Sequence, residues 1–246
     1  MEESCCTSQR KGSRRRPFQL EGEDLHAFDR IKIPITYKAN QTVFYEGHAS
    51  LGLYMLCSGK VKLTRSSIKG QRVIVRILEG GDIIEKEAFG DKTVHQVTCE
   101  TLEPCKICLI ERAPYLELVK RNGALALSLI ELLSSEVRSH IGQLDEFLFK
   151  NARERLAAKL LQLALRFGFR VEGGVSIGMN LKREEVAEMA GITPETLARL
   201  LGAFQGEKLI TVHGRTITLV DIDRLSRIAR YPDLKLAQVS AEAPAS

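Results

Sequence analysis

Residues 183 to 201 read Arg183-Glu184-Glu185-Val186-Ala187-Glu188-Met189-Ala190-Gly191-Ile192-Thr193-Pro194-Glu195-Thr196-Leu197-Ala198-Arg199-Leu200-Leu201, and the spacing within this stretch decides how the C-terminal third folds. Val186 and Ala190 share one face of a first helix, and Leu197, Leu200 and Leu201 share one face of a second. Gly191 stands between them, where a tight inter-helix turn needs positive φ, and the small Ala187 lets the helices approach closely. Thr193 is a natural N-cap and Pro194 a natural first helical residue, so the second helix has a defined start. A generic helical hairpin shares the apolar spacing but has no need of the small residue, turn glycine, cap and proline together. The stretch therefore predicts a helix-turn-helix, whose second helix enters the DNA major groove.

Immediately downstream, Lys208-Leu209-Ile210-Thr211-Val212-His213-Gly214-Arg215-Thr216-Ile217-Thr218-Leu219 alternates around a His-Gly turn. That is a β-hairpin, making the motif a winged helix-turn-helix. Glu195, Ala198 and Arg199 lie three and four apart on one face of the second helix, with Thr196 beside them. Arg199 is suited to donating to guanine O6 and N7, Glu195 to accepting from cytosine N4, and Ala198 to touching a thymine methyl. Lys182 and Arg183, at the start of the preceding helix, are placed to contact phosphates.

Upstream of the motif, Asn151 to Phe167 reads as a helix ending near Gly168, and Gly173-Gly174 as a turn. Before it, Tyr115 to Lys150 is strongly helical in composition, and Ile130, Leu133, Val137, His140, Leu144 and Phe147 step by 3, 4, 3, 4 and 3 residues. This is the seam of a coiled coil, flanked by the charged Glu131, Glu136, Arg138 and Glu146. It predicts a two-fold homodimer; a helix packed on its own domain shows the same spacing. Two-fold pairing would bring His140 near its mate, where two imidazolium rings would repel.

Between Ile33 and Ile110 the texture is different. Short β-rich runs, Val43 to Tyr45, Leu53 to Cys57, Val61 to Thr64, Val73 to Leu78, Val94 to Thr98 and Cys105 to Ile110, are separated by glycines. Such spacing predicts an antiparallel sandwich or jelly roll. The expected organisation is a basic flexible arm (1–20), a β-rich sensor domain (21–113), a dimerisation helix (114–149), a winged helix-turn-helix (150–231) and a disordered tail (232–246). The fold class is α+β.

The chain has 246 residues and a net charge of +5, and residues 151–230 carry 13 Lys and Arg against 9 Asp and Glu. Arg10, Lys11, Arg14, Arg15 and Arg16 add a basic run to the arm. Both features suit a polyanion, although a solvated charged surface looks the same by charge alone. No apolar run approaches the ~20 residues needed to cross a bilayer, and the N-terminus lacks the apolar core of a signal peptide, so a cytoplasmic, non-membrane protein is expected. In that reducing compartment Cys5, Cys6, Cys57, Cys99, Cys105 and Cys108 are core residues, metal ligands or redox thiols.

A β-rich domain, a coiled-coil helix and a C-terminal winged helix-turn-helix in this order resemble the Crp/Fnr family of bacterial regulators. The resemblance runs from about Phe28 to Ala229 and is carried by Asn151-Ala152-Arg153-Glu154-Arg155-Leu156-Ala157, Glu195 to Leu201, and Gly80-Gly81-Asp82. It implies a cyclic-nucleotide-binding-like jelly roll, a dimer on double-stranded DNA and control of RNA polymerase recruitment. It also implies TTGA-like half-sites, because Pro194 replaces the arginine with which some members read an additional guanine.

Cyclic-AMP binders of the family place Gly-Glu-Leu and Arg-Ser where this chain has Glu85-Lys86-Glu87 and His95-Gln96. Loss of the phosphate-pairing arginine and gain of carboxylates argue against an anionic ligand such as cyclic AMP and leave the effector of this pocket unidentified. In the oxygen-sensing branch the resemblance makes Cys108 a candidate iron–sulfur ligand, with Cys5 and Cys6 the N-terminal cysteines; adjacent cysteines lack the spacing by which successive thiolates usually reach different irons. Haem, another metal and plain packing remain open alternatives.

Two other functional classes fit the sequence less well. A sensor acting only through protein partners, with a degenerate winged helix, has no need of base-reading Glu195 and Arg199. A thiol oxidoreductase finds little support, because the one close pair, Cys105-Lys106-Ile107-Cys108, falls on a predicted strand of a β domain.

Overall fold

A computed structural model of the chain describes residues 22–68, 70–85 and 93–231. The expected arm and tail lie outside the described residues, as do Cys5, Cys6, Lys86 and Glu87. The chain forms two compact units that divide between His140 and Ile141.

The first unit opens with α1 (Gly22–Arg30) and continues through β1 (Lys32–Tyr37), β2 (Thr42–Phe44), β3 (Gly52–Ser58), β4 (Lys60–Ser66), β5 (Arg72–Glu79), β6 (Ile83–Glu85), β7 (Thr98–Thr101) and β8 (Cys105–Glu111). Two four-stranded sheets result, ordered β1-β8-β3-β6 and β2-β7-β4-β5, and every pairing is antiparallel. Side chains alternate along a strand, so β3 sends Tyr54 and Leu56 into one core with Phe44, Val61, Leu63, Leu78, Cys99, Ile107 and Leu109. Its other face sends Leu53 and Met55 into a second core with Phe28, Ile110, Tyr115 and Leu125. Coverage of both faces explains why β3 and β8 are apolar almost throughout.

Details differ from expectation. Val94 forms only an isolated bridge to Ala49, and the strand begins at Thr98. The helical stretch beyond β8 is two helices, α2 (Arg112–Arg121) and α3 (Gly123–Phe149). Asn122 breaks it: its backbone is extended, and its side-chain oxygen accepts the Leu125 N–H at 3.0 Å as a cap for α3.

The second unit begins inside α3. It continues with α4 (Ala152–Phe167), β9 (Gly168–Val171), β10 (Gly174–Ile177), α5 (Arg183–Ala190), α6 (Pro194–Gly206), β11 (Ile210–His213), β12 (Thr216–Leu219) and α7 (Ile222–Ile228). An antiparallel sheet, β11-β12-β10-β9, backs the helices. Asn151 starts α4 with a full capping box: its side chain accepts the Glu154 N–H, and the Glu154 carboxylate accepts the Asn151 N–H, both at 3.0 Å. The stripe Leu156, Leu160, Leu161, Ala164 and Phe167 is buried where α4 packs against α5, α7 and the sheet, and Leu197, Leu201, Phe204, Leu209, Leu219 and Leu225 are buried as well.

Candidate nucleic-acid interface

The geometry of α5 and α6 follows from their local chemistry. Glu185 is buried, and its carboxylate accepts the Lys182 N–H at 2.9 Å, fixing the start of α5. Gly191 ends that helix at φ 61°, ψ 45°, the left-handed conformation that costs glycine least. A β-carbon there would lie 2.8 Å from Cε1 of Phe147, so a larger residue must displace that ring as well as adopt the left-handed φ. The Thr193 hydroxyl accepts the Thr196 N–H at 3.3 Å, capping α6, and Pro194 occupies its first turn.

These constraints sort the side chains of α6. Leu197, Leu200, Leu201 and Phe204 are buried, while Glu195, Ala198 and Arg199 are exposed together and Thr196 is half-buried beside them. Backbone N–H donation at the helix N-terminus, together with the Thr193 hydroxyl, holds the Glu195 carboxyl below its ordinary range. It is therefore an ionised acceptor at neutral pH. Lys182 is exposed, whereas the Arg183 guanidinium donates to the Gly214 carbonyl at 2.8 Å and ties α5 to the hairpin. The hairpin turn is Gly214-Arg215, one residue beyond the expected His-Gly. Arg215 is exposed there, and its signal in the sequence was only its place beside the turn glycine.

Two arginines of α4 matter more than their sequence suggested. Arg155 donates to Lys150 O at 2.9 Å, Ala190 O at 3.0 Å and Gly191 O at 3.3 Å, satisfying carbonyls at the end of α5. Arg153 makes two 2.8 Å bonds to the Glu207 carboxylate and stacks on Phe204, tying α4 to the end of α6. Both fall within the stretch that carried the resemblance, but side-chain to backbone contacts between distant segments leave no periodic mark.

Of the proposed pocket residues in the first unit, the described side chains are those of His95 and Gln96. His95 is buried, with its ring stacked 3.9 Å from that of Phe44, and Gln96 is exposed. Glu85 closes β6, and Lys86 and Glu87 lie beyond the described residues. Cys108 is fully buried with Sγ 3.3 Å from that of Cys57. Cys105, three residues away on the same strand, points into the opposite core, and burial pushes its thiol up to about 11. The described residues thus bring two sulfurs together where an iron–sulfur cluster takes four ligands, and they contain no group of three or more metal-ligating side chains.

Along α3, Ile130, Val137 and Leu144 are more than half exposed, Phe147 is 48% exposed, and Leu133 is half-buried. His140 is exposed, with Nε2 3.4 Å from the Glu136 carboxylate, so an imidazolium there has a counter-charge on its own helix. Glu136 and Glu146, two of the charged residues flanking the seam, are both buried. Arg76 of β5 reaches Glu136 at 2.5 Å, and three side chains of the second unit, Gln162 and Lys159 of α4 and Tyr231 beyond α7, converge on Glu146. Ionic partners offset the desolvation that ordinarily keeps such groups outside.

The chain is 30% identical over 218 residues to the fumarate and nitrate reduction regulatory protein of Escherichia coli strain K12, covering 87% of this chain and 86% of that one. This chain belongs to the Crp/Fnr family. Residues 154–228 match the Crp-like helix-turn-helix domain and residues 34–122 the cyclic nucleotide-binding domain. Another relative, the CRP-like cAMP-activated global transcriptional regulator of Mycobacterium tuberculosis strain H37Rv, is 27% identical over 197 residues, 80% of this chain and 88% of that one. Among solved structures, FixK2 from Bradyrhizobium japonicum has the same fold at TM-score 0.69 and 21% identity, over 80% of this chain and 97% of that one. CLP of Xanthomonas campestris does so at 0.72 and 18%, over 80% and 98%. This Crp/Fnr protein is a DNA-binding transcription regulator rather than an enzyme. No helix among its described residues is long and apolar enough to cross a membrane.

Proposed function

We propose that this regulator acts as a homodimer on an inverted repeat close to TTGA and TCAA, with half-sites centred ~10 bp apart as for other two-fold helix-turn-helix dimers. The observation that carries the reading is the exposed face of the first two turns of α6, where Glu195, Ala198 and Arg199 stand together opposite a buried leucine face. Arg199 reads a guanine and Glu195 the N4 of a cytosine, so a G·C pair anchors each half-site. Lys182 and Arg183 hold phosphates and set affinity without setting sequence; Arg183 does so while keeping the hairpin in place. The apolar face of α3, from Ile130 through Leu133, Val137, His140 and Leu144 to Phe147, meets its two-fold mate. Bound at a promoter in this way, the protein controls RNA polymerase under an effector other than cyclic AMP, in keeping with His95 being stacked in the core rather than presented to an anion.

Selection of bound sequences from a random pool tests this reading. Arg199→Ala is expected to cost ~1 to 3 kcal/mol on the selected site and to relax the guanine preference. Lys182→Ala is expected to weaken binding to all sequences and to shallow the salt slope by about one unit. A wild-type consensus lacking the paired G·C positions, or an Arg199→Ala consensus that keeps them, overturns the assignment.

A further inference from the structure

Glu146 is a buried carboxylate for which DNA contact and the dimer seam have no use. It projects from the penultimate turn of α3 and is 5% exposed. Gln162 Nε2 and Lys159 Nζ, both of α4, donate to it at 2.7 and 2.9 Å. The Tyr231 hydroxyl, beyond α7, donates to it as well. Lys150 Nζ lies 3.7 Å from the carboxylate and 3.7 Å over the Tyr231 ring. Burial pushes this carboxyl up, and the donors and neighbouring ammonium groups outweigh that effect, so its pKa is below the ordinary value and it is charged at neutral pH.

The same few residues of α3 are held from a second direction. Arg155 clamps the Lys150 carbonyl and, with its other nitrogens, the Ala190 and Gly191 carbonyls in the turn before α6. Phe147 packs its ring against Gly191 and lies 5.8 Å from the Arg155 guanidinium. Residues 146–150 are therefore built into the DNA-binding unit, with a short, bonded route to the start of the recognition helix. The chain likewise divides between His140 and Ile141, inside α3 rather than after it.

We infer that Glu146 is a positioning residue for DNA recognition: with Tyr231 and Arg155 it latches the end of α3 to the helix-turn-helix and so sets the operator spacing that the protein accepts. This rests on the dimeric reading above, since spacing has meaning only when two recognition helices bind at once. If α3 pairs with its mate, the angle at which it enters each DNA-binding unit sets the separation and relative rotation of the two copies of α6. Each added base pair moves a half-site by about 3.4 Å and rotates it by roughly 34°. A rigid entry angle discriminates against such changes, and a loosened one tolerates them.

The test uses full-length wild-type, Glu146→Gln and Tyr231→Phe proteins, the last removing one donor while leaving the charge of Glu146 compensated. Fluorescence anisotropy measures binding to the selected palindrome with its spacer changed by −2 to +2 bp and to an isolated half-site. Circular dichroism and sedimentation check folding and assembly. Wild type is expected to lose roughly tenfold or more in affinity at ±2 bp, on the scale of one lost base-pair readout. Both variants are expected to flatten that profile at least about threefold while half-site affinity stays within about twofold, because neither changed side chain reaches DNA. Variants that fold and dimerise but keep the wild-type profile overturn the latch and leave the dimer intact. A monomeric wild type, or one indifferent to spacing, overturns the dimeric reading and the latch with it.

Discussion

Gly191→Ala strains two contacts at once, and their costs can be separated. The backbone there is left-handed at φ 61°, which costs a residue with a β-carbon ~1 to 2 kcal/mol. The new methyl would stand 2.8 Å from Phe147 Cε1, against an optimum of about 3.5 to 4.0 Å for two carbons, so the ring must retreat by roughly 0.7 Å or more. Overpacking of this kind costs ~1 to 3 kcal/mol, and a ring that is half exposed can give way, placing the cost near the lower end. Reduced freedom of the unfolded chain returns ~0.4 to 1 kcal/mol. The net expectation is a loss of about 2 kcal/mol in the second unit. Urea denaturation of the full chain, with Phe147→Ala made in both backgrounds, divides this figure. Without the ring, the penalty for Gly191→Ala should fall to about 1 kcal/mol, leaving a coupling of similar size. A loss under about 0.5 kcal/mol, or an equal loss with and without Phe147, would refute the assignment of this turn.

Two further outcomes follow from the charge distribution. Glu146, Glu154 and Glu207 all have pKa values below their ordinary 4.5, Glu207 first through its bonds from Arg153 and Glu154 first through the Asn151 N–H. A depressed carboxylate stabilises the fold fully above the unfolded value and loses that contribution as pH falls through the lower folded value. The urea midpoint of the second unit should therefore hold down to about pH 5 and drop as pH falls below 4.5. Glu207→Gln should make the drop smaller, and a midpoint unchanged to about pH 3 would contradict the pairing. Cyclic AMP should show no micromolar binding by titration calorimetry and no effect on operator affinity, since Glu85-Lys86-Glu87 and His95-Gln96 offer the phosphate no arginine; micromolar binding with a matching gain in affinity would overturn this.

The helix-turn-helix was legible in the sequence because each determinant is local. A cap, a first-turn proline, a left-handed glycine and two apolar faces all act within 19 residues, and the structure places each in its expected role. Most strands of the β-domain were legible, since glycine turns and short apolar runs are also local signals, but the three-residue β6 left too short a run to notice. β1 escaped notice because Pro34 interrupts it, and such a residue is tolerated only because β1 is the edge strand of its sheet. Asn122 hid a helix break for a related reason. A single cap residue barely alters helical composition, yet its side chain starts a new helix.

The buried acidic residues of α3 show where pattern reasoning stops. Glu136 and Glu146 occupy positions that a heptad assigns to solvent, and nothing in the spacing of α3 distinguishes them from Glu131, which is exposed. What buries them comes from far along the chain: Arg76 from β5 reaches one, and Gln162, Lys159 and Tyr231 reach the other, the last from 85 residues away. A charge can leave water only where partners of opposite sign or aligned donors already wait. Buried carboxylates of this kind record tertiary structure that helical periodicity does not contain. In α3 they also mark the places where a helix that looks uniform in sequence is held by different neighbours along its length. Glu136 is bound within the first unit and Glu146 within the second, ten positions apart on one helix.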